Sequence, residues 1–302
     1  MGISREQARD CFASDDLVGM GMEADAVRRR VHPEGVVTYS IQSQIAYQTD
    51  AQATVRAVDA AVDSGASAVR ITGISSTELG LEGLEQFFRQ VRRQHPELWI
   101  EALSAPQVGA LAAHAGMLPA AVLARLRQAG LNSISGEGAS LASGSESDCC
   151  SVAEWIEAHR AAHAVGMRTR AVMTFGAGES LEQRIEFLEA VSRLQEQTGG
   201  FSSFVAVAAE PANGRQLDGV TAVERLKTLA VARMYLDNIE NLQAGSPGST
   251  LKVLQTELRF GANDAGQATP EGSAEEDLRR IIRDAGFRPA QRDAAFRAMY
   301  LA

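Results

Sequence analysis

The chain has 302 residues, 45% hydrophobic and 22% charged, with a formal net charge of −9 and a pI near 5.2. That is enough to bury a large core, as one large α/β domain or two smaller ones. The acidic balance argues against nucleic acid or an anionic membrane face as a partner, and no apolar run is long enough to span a bilayer.

Met1-Gly-Ile-Ser-Arg-Glu-Gln has no basic region followed by an apolar one, so no secretion signal is expected, and Glu6 breaks a myristoylation pattern. Three cysteines, Cys11, Cys149 and Cys150, are an odd, low count that reads as a reducing cytoplasm. Ser4 with Gln7 forms a capping-box pattern opening an N-terminal helical layer that runs to Arg30. Its second helix, after Asp15-Asp16, ends in Arg28-Arg29-Arg30, read as a solvated end suited to the negative pole of the helix.

From Val36 onward strand and helix patterns alternate. Expected strands are Val36–Ile45, Ala68–Ile74, Trp99–Leu103, Leu131–Ser135, Arg168–Phe175, Phe201–Ala209 and Ile239–Ala244, with Arg259–Gly261 as an eighth. Expected helices are Ala51–Ser64, Leu81–Gln94, Ala120–Ala129, Val152–Val165, Leu181–Gln197, Ala222–Leu236, Leu251–Leu258 and Ala274–Ala285. Such alternation implies a parallel sheet with right-handed crossovers, and close to eight units favour a closed (β/α)8 TIM-type barrel. No Gly-x-Gly-x-x-Gly follows the first strand, which disfavours a dinucleotide fold. The expected layout is one domain, with helices over 1–35, a barrel core over 36–264 and a helical segment over 265–302. Gly144–Ser151 and Gly261–Ser273 are the expected mobile loops.

Barrel chemistry sits at the C-terminal ends of the strands. Here those ends carry Gln48-Thr49-Asp50, Thr72-Gly73-Ile74-Ser75, Ser104-Ala105-Pro106, Ser135-Gly136-Glu137-Gly138, Thr174-Phe175-Gly176-Ala177-Gly178-Glu179, Glu210-Pro211-Ala212-Asn213, Gly245-Ser246-Pro247-Gly248 and Gly261-Ala262-Asn263-Asp264. A mouth rich in glycine, where backbone approaches a ligand closely, and poor in histidine suits a flat or phosphorylated metabolite rather than a zinc hydrolase.

Several motifs together resemble one family. They are Asp15-Asp16-Leu17, Ala26-Val27-Arg28-Arg29-Arg30 with Pro33-Glu34-Gly35-Val36-Val37-Thr38-Tyr39, Ala129-Gly130-Leu131-Asn132-Ser133-Ile134 and Gln195-Glu196-Gln197-Thr198-Gly199-Gly200-Phe201. To these add Ala232-Arg233-Met234-Tyr235-Leu236-Asp237-Asn238-Ile239, Phe260-Gly261-Ala262-Asn263-Asp264 and Ala285-Gly286-Phe287-Arg288-Pro289-Ala290-Gln291-Arg292-Asp293. From about Ser4 to Asp293 the chain resembles the dehypoxanthine futalosine cyclases, radical S-adenosylmethionine (SAM) enzymes of the futalosine route to menaquinone. The resemblance implies a radical-SAM-like barrel.

The departures fall where that family's chemistry sits. Its C-x3-C-x2-C loop after the first strand has no counterpart, and Ile45-Ala46-Tyr47-Gln48-Thr49-Asp50 runs straight toward a helix. Its Gln-Gly-Gly is Thr72-Gly73-Ile74, its Gly-Gly-Gly-Ala-Glu is Gly136-Glu137-Gly138-Ala139-Ser140, and its Phe-Gly-His-x-Glu is Phe175-Gly176-Ala177-Gly178-Glu179. Its Ser-Trp-Val-Thr is replaced by Ser246-Pro247-Gly248-Ser249. Reductive SAM cleavage needs a cluster held by thiolates, so the expectation is no iron–sulfur cluster and no adenosyl radical.

Candidate residues follow. Glu179, at a retained family position, reads as a ribose contact or general base, or as an acid favouring the next helix. Glu137 is a second mouth carboxylate, and Asp264 a third candidate catalytic acid. Thr72, Gly73, Ser135, Gly176 and Glu179 are the candidate cofactor contacts, with SAM as the compatible cofactor. Tyr47, Asp50, Asn263 and Arg292 are the candidate substrate contacts; Arg292 would pair an anion over the mouth or form a structural salt bridge. No resident metal is expected: His159 and His163 lie i, i+4 on an outer helix, and Cys149-Cys150 read as ordinary thiols, with a reactive or metal-binding thiol site on the mouth side as the lesser alternative. Two readings of function stand: a cluster-free enzyme running polar chemistry on a SAM- or nucleoside-like metabolite, or a non-catalytic ligand-binding or partner subunit. A cytoplasmic protein, with no nucleic-acid or membrane partner and with room for a homo-oligomer, fits either.

Overall fold

The computed structural model describes residues 2–48, 50–142, 149–209, 220–245, 250–270 and 274–301. Two helices, α1 (Arg5–Ala13) and α2 (Leu17–Val31), lead into β1 (Val36–Ala46). The alternation then runs α3 (Ala51–Asp63), β2 (Ala68–Thr72), α4 (Ser76–Gln94), β3 (Trp99–Ala102), α5 (Ala105–Ala115) and α6 (Pro119–Ala129). A short pair, β4 (Ala139–Ser140) and β5 (Cys150–Ser151), precedes α7 (Val152–Ala164), β6 (Thr169–Phe175), α8 (Leu181–Thr198) and β7 (Phe201–Ala208). The chain ends with α9 (Ala222–Tyr235), β8 (Asn241–Gln243), α10 (Leu251–Glu257), β9 (Asp264–Ala268), α11 (Ala274–Asp284), β10 (Arg288–Arg292) and β11 (Ala298–Leu301).

Local chemistry sets the helix ends. Ser4 and Gln7 form the expected reciprocal cap on α1, and Ser151 with Glu154 and Ser180 with Gln183 do the same for α7 and α8. Gly80, at φ +62 inside α4, breaks the helix just before Leu81. The face carrying Leu84, Phe87, Phe88 and Val91 is buried as the periodicity requires. Arg28 departs from expectation: it is buried, paired with Asp25 at 2.7 Å and stacked over Phe287.

The sheet curls into the expected TIM-type barrel. Its order is β3-β2-β1-β9-β8-β7-β6, all parallel. The segment 131–135 supplies the eighth position. It is not a regular strand: Ser133 makes one parallel bridge to Glu101, and Ser135 N–H donates to the Leu103 carbonyl at 2.9 Å. Gly136 then lies directly against the backbone of Arg170 on β6.

Two expectations for the C-terminal part are corrected. The last barrel strand is Asp264–Ala268, not Arg259–Gly261, so the expected loop over Gly261–Ser273 carries a strand. Arg288–Arg292, expected in a helical tail, is strand β10, paired parallel with Val36–Tyr39, and β11 folds back on it antiparallel. The expected mouth residues Thr49, Glu210, Pro211, Ala212, Asn213, Ser246, Pro247 and Gly248 lie outside the described residues, as does most of the Gly144–Ser151 loop. No single helix among the described residues is long and apolar enough to cross a membrane.

Candidate active site at the barrel mouth

Strand alternation sends successive side chains to opposite faces. On β1, Tyr39 faces outward, its hydroxyl 2.9 Å from Glu275 and 2.7 Å from Arg279 on α11. The other face points into the barrel, and on β2, β3 and β6 that face carries charge: Arg70, Glu101 and Arg170 are all buried. A charged side chain in the middle of a barrel strand is costly unless paired. Here Arg70 Nε lies 2.9 Å from Glu101 Oε1, and Arg170 Nη2 lies 3.1 Å from the same oxygen. Glu101 is thus wedged between two guanidinium groups.

Above this layer, Arg70 Nη1 donates to Glu137 Oε1 at 2.7 Å. Glu137 follows the irregular 131–135 segment, and its side chain is 49% exposed against 11% for Arg70. One arginine therefore carries two carboxylates, one sealed in the barrel and one open to solvent. Burial would lower Arg70, but Glu101 and Glu137 outweigh it and raise its pKa, so it stays a cation. Burial pushes the Glu101 carboxyl up, against the pull of Arg70, and the like charge of Glu137 adds to the push. Arg70 Nε is not aligned for a hydrogen bond with Glu101, and neither it nor Arg170 Nε finds an acceptor among the described residues.

The Arg70–Glu137 pair stands between two cavities. One, of about 540 Å³, is lined by Gln44, Thr174, Val207 and Cys149 among others. The second, of about 610 Å³, is lined by Thr72, Gly73, Ser104 and Ser135. Arg70, Glu137 and Gly138 line both. Both volumes fall in the range of small-molecule sites. Gly73, at φ +71, turns the chain out of β2 and leaves its backbone exposed to the second cavity.

The expected site residues separate into two groups. Glu137, Thr72, Gly73 and Ser135 line the mouth. Glu179 borders the first cavity, but its carboxylate turns back into its own loop. It accepts from the N–H groups of Gly176 at 2.7 Å and Ala177 at 2.9 Å, and pairs with Arg184 at 2.6 Å. Gly176 is thereby committed to Glu179 rather than open to a ligand. Tyr47 packs edge-on against Phe87 of α4, and Asp50 caps α3 through Gln52 N–H.

Asn263 and Asp264 stand at the start of β9, at the barrel floor. Asn263 joins Arg233, Asn241 and the Leu242 N–H. Asp264 is fully buried, held by Arg292 and by Thr38 at 2.6 Å. Arg292 lines a floor cavity of about 30 Å³ with Trp99, Arg168 and Phe296, so it does not reach over the mouth. The reason is the pairing of β10 with the N-terminal half of β1, which fixes Arg292 below the charged layer. Arg70, Glu101 and Arg170 escaped the sequence reading. Their signal was present: each charge lies inside a strand, Arg70 between Val69 and Ile71, Glu101 between Ile100 and Ala102, and Arg170 between Thr169 and Ala171.

No protein-family model matches the chain. A cyclic dehypoxanthine futalosine synthase of Streptomyces coelicolor is 28% identical, over 97% of this chain and 85% of that protein. A 5-amino-6-(D-ribitylamino)uracil–L-tyrosine 4-hydroxyphenyl transferase of Methanothermobacter thermautotrophicus is 30% identical, over 78% of this chain and 71% of that protein. The chain belongs to the radical SAM family of these enzymes. Among solved structures, methylornithine synthase (PylB) shares the fold of this radical SAM family member, with a TM-score of 0.68 over 98% of this chain and 96% of that chain at 16% identity. The match to the Streptomyces enzyme runs over 339 positions, more than the 302 residues of this chain, so stretches of that enzyme have no counterpart here.

A [4Fe–4S] cluster is held by thiolates that converge on it. In this radical SAM family member Cys11 lies on α1, while Cys149 and Cys150 are neighbours at β5. Burial and then Glu154 push the Cys150 thiol up to about 11, away from thiolate character. Among the described residues no group of three or more His, Cys, Asp or Glu side chains is placed to hold a metal ion. The donor set does not fit such a cluster.

Proposed function

We propose that this chain is a cluster-free member of the radical SAM family that binds a small nucleoside-like metabolite, SAM included, at the barrel mouth and acts on it by polar chemistry. The reaction classes this reading admits are elimination, cyclisation, isomerisation and group transfer. The observation that carries it is Glu137, a half-exposed carboxylate on the wall shared by two ligand-sized cavities and held by Arg70 at 2.7 Å. A carboxylate in that position reaches a ligand lying in either cavity, taking a proton as general base and returning it as general acid. Arg70 fixes its orientation, and Glu101 with Arg170 fixes Arg70 from below. Thr72, Gly73 and Ser135 present hydroxyl and backbone groups to the ligand. SAM bound there supplies an electrophilic sulfonium centre.

The experiment is calorimetric titration with SAM, adenosine and futalosine-like nucleosides, alongside iron analysis after anaerobic reconstitution. Nucleoside binding with no stoichiometric iron, with an affinity changed by Glu137→Gln, supports the reading. Four irons per chain overturn the cluster-free part, and no binding to any nucleoside overturns the ligand class. One observation favours a second reading, a non-catalytic binding subunit: Glu179 and Asp264 are both held in salt bridges, which leaves Glu137 alone among the expected catalytic carboxylates at the open mouth. Binding of a nucleoside that is recovered chemically unchanged, alone and with a true radical SAM partner, selects it.

A further inference from the structure

Arg70 is bonded to two carboxylates that differ in every respect that governs exchange. Glu101 sits on β3, is 9% exposed at its side chain, and is also held by Arg170. Glu137 is 49% exposed, has Arg70 as its salt-bridge partner, and stands between Gly136 and Gly138, the latter at φ +100. The two carboxylates repel one another across the shared guanidinium. Glu137 is thus the weakly held member: its departure relieves like-charge repulsion, moves a side chain already half in solvent, and needs rotation only in a glycine-flanked turn. Its departure also leaves Arg70 Nη1 bare at the junction of both cavities. Glu101 still faces Arg70 Nε, but a buried Nη1 donor left without an acceptor carries a cost that an incoming anion removes.

We infer that Arg70 is the anchor for a carboxylate carried by the ligand, and that the ligand binds by displacing Glu137 from Arg70. The charge count selects the class of anion. A monoanionic carboxylate replaces Glu137 one for one, in the geometry a guanidinium fork accepts. A phosphate dianion adds a charge directly above Glu101. This step deepens the proposed function: the incoming carboxylate frees the Glu137 side chain for proton transfer at the moment the ligand is seated.

The test uses trifluoroacetate as probe, followed by fluorine NMR line broadening, with acetate and inorganic phosphate as competitors. Removing the internal rival carboxylate, in Glu137→Gln and Glu137→Ala, is expected to tighten trifluoroacetate binding about tenfold, the equivalent of roughly 1.4 kcal/mol. Arg70→Met abolishes the broadening. Should that variant fail to fold, the two Glu137 variants decide alone, because their mouth-facing side chain is half solvated. Equal affinity in wild type and both Glu137 variants overturns the exchange. Phosphate displacing the probe more effectively than acetate overturns the carboxylate assignment. The measurement reads neither nucleoside binding nor turnover. A protein that binds no nucleoside yet shows the Glu137 effect keeps this site and loses the nucleoside reading.

Discussion

Arg184 Nε stands 2.6 Å from Glu179 Oε1, and together they close the loop after β6. The carboxylate is almost fully enclosed, so the retained glutamate shapes the mouth rather than lining it with a free base. Burial alone would raise its pKa, but the backbone N–H donors of the loop and Arg184 hold it below the usual carboxylate range. Glu179→Gln removes one charge while Arg184 keeps Glu224 at 2.6 Å, so the expected loss is about 2–3 kcal/mol rather than the larger cost of a stranded cation. With the folded pKa lowered, the contribution is complete above the ordinary glutamate range and fades as pH falls through the folded value. Urea midpoints at pH 7 and pH 4 check this: the gap between wild type and variant narrows at the lower pH. A variant as stable as wild type at pH 7 contradicts the enclosed pair.

His159 and His163 give a second pH signature. His159 Nδ1 and His163 Nε2 both meet the Thr169 hydroxyl, at 2.8 and 2.9 Å, and His159 lies against Trp155. Burial pushes His163 down to about 4 and His159 well below its ordinary value. Both rings stay neutral in the folded state while the unfolded chain binds protons below about pH 6.5. Stability is therefore complete above that value and falls with pH down to the folded values, with a slope approaching about 2.7 kcal/mol per pH unit for two rings. His159→Phe, which keeps an aromatic ring against Trp155, is expected to flatten the fall between pH 6.5 and 5 in urea titrations. An unchanged slope contradicts the neutral buried ring.

The alternation of strands and helices made the barrel legible, because period and capping residues are local signals: Ser4, Ser151 and Ser180 cap the helices they precede. The site was legible where loop residues at the strand ends stay open to the cavities, as at Thr72, Gly73, Ser135 and Glu137. Glu179 keeps a retained position, but the sequence does not show that Arg184 and two backbone N–H groups consume its carboxylate. Asp264 was misplaced at a strand end because Arg259–Gly261 reads as a strand, whereas Arg292 takes the second of its two expected roles, a structural salt bridge. In the structure β9 begins at Asp264, and β10 brings Arg292 to it from 28 residues away. Arg70 and Glu101 lie inside their strands, away from the strand ends where barrel chemistry is expected. Their pairing depends on register between β2 and β3, which sets Arg70 beside Glu101 and is not a local signal.

The floor pair predicts a stability phenotype without a binding one. Asp264 is fully buried, and Arg292 is 4% exposed, with Phe296 over its guanidinium. Asp264→Asn leaves a buried arginine without its carboxylate, at a cost of about 3–5 kcal/mol. The variant's unfolding midpoint drops accordingly, while ligand affinity at the mouth, measured where the variant remains folded, matches wild type. Loss of binding at unchanged stability contradicts the floor assignment.

Gly136 ties the mouth to the core. A Cβ placed there meets the Arg170 carbonyl oxygen at 2.1 Å and Val172 Cγ2 at 2.8 Å. The first of these atoms is backbone of β6 and cannot rotate away. The Gly136 carbonyl also accepts from Trp155 Nε1 at 3.0 Å, a bond between buried groups. Gly136→Ala must therefore push the 131–136 segment off β6, stretch that bond and carry Glu137 with it. The expected cost is about 1–3 kcal/mol from overpacking, together with weaker ligand binding at the mouth, because the Arg70–Glu137 geometry moves with the segment. The control is Gly178→Ala, in the next loop around the barrel, where a Cβ meets nothing within 4 Å and the cost is the strain of φ +99 alone. If both variants lose the same stability and neither loses ligand affinity, the contact between Gly136 and β6 does not position the site.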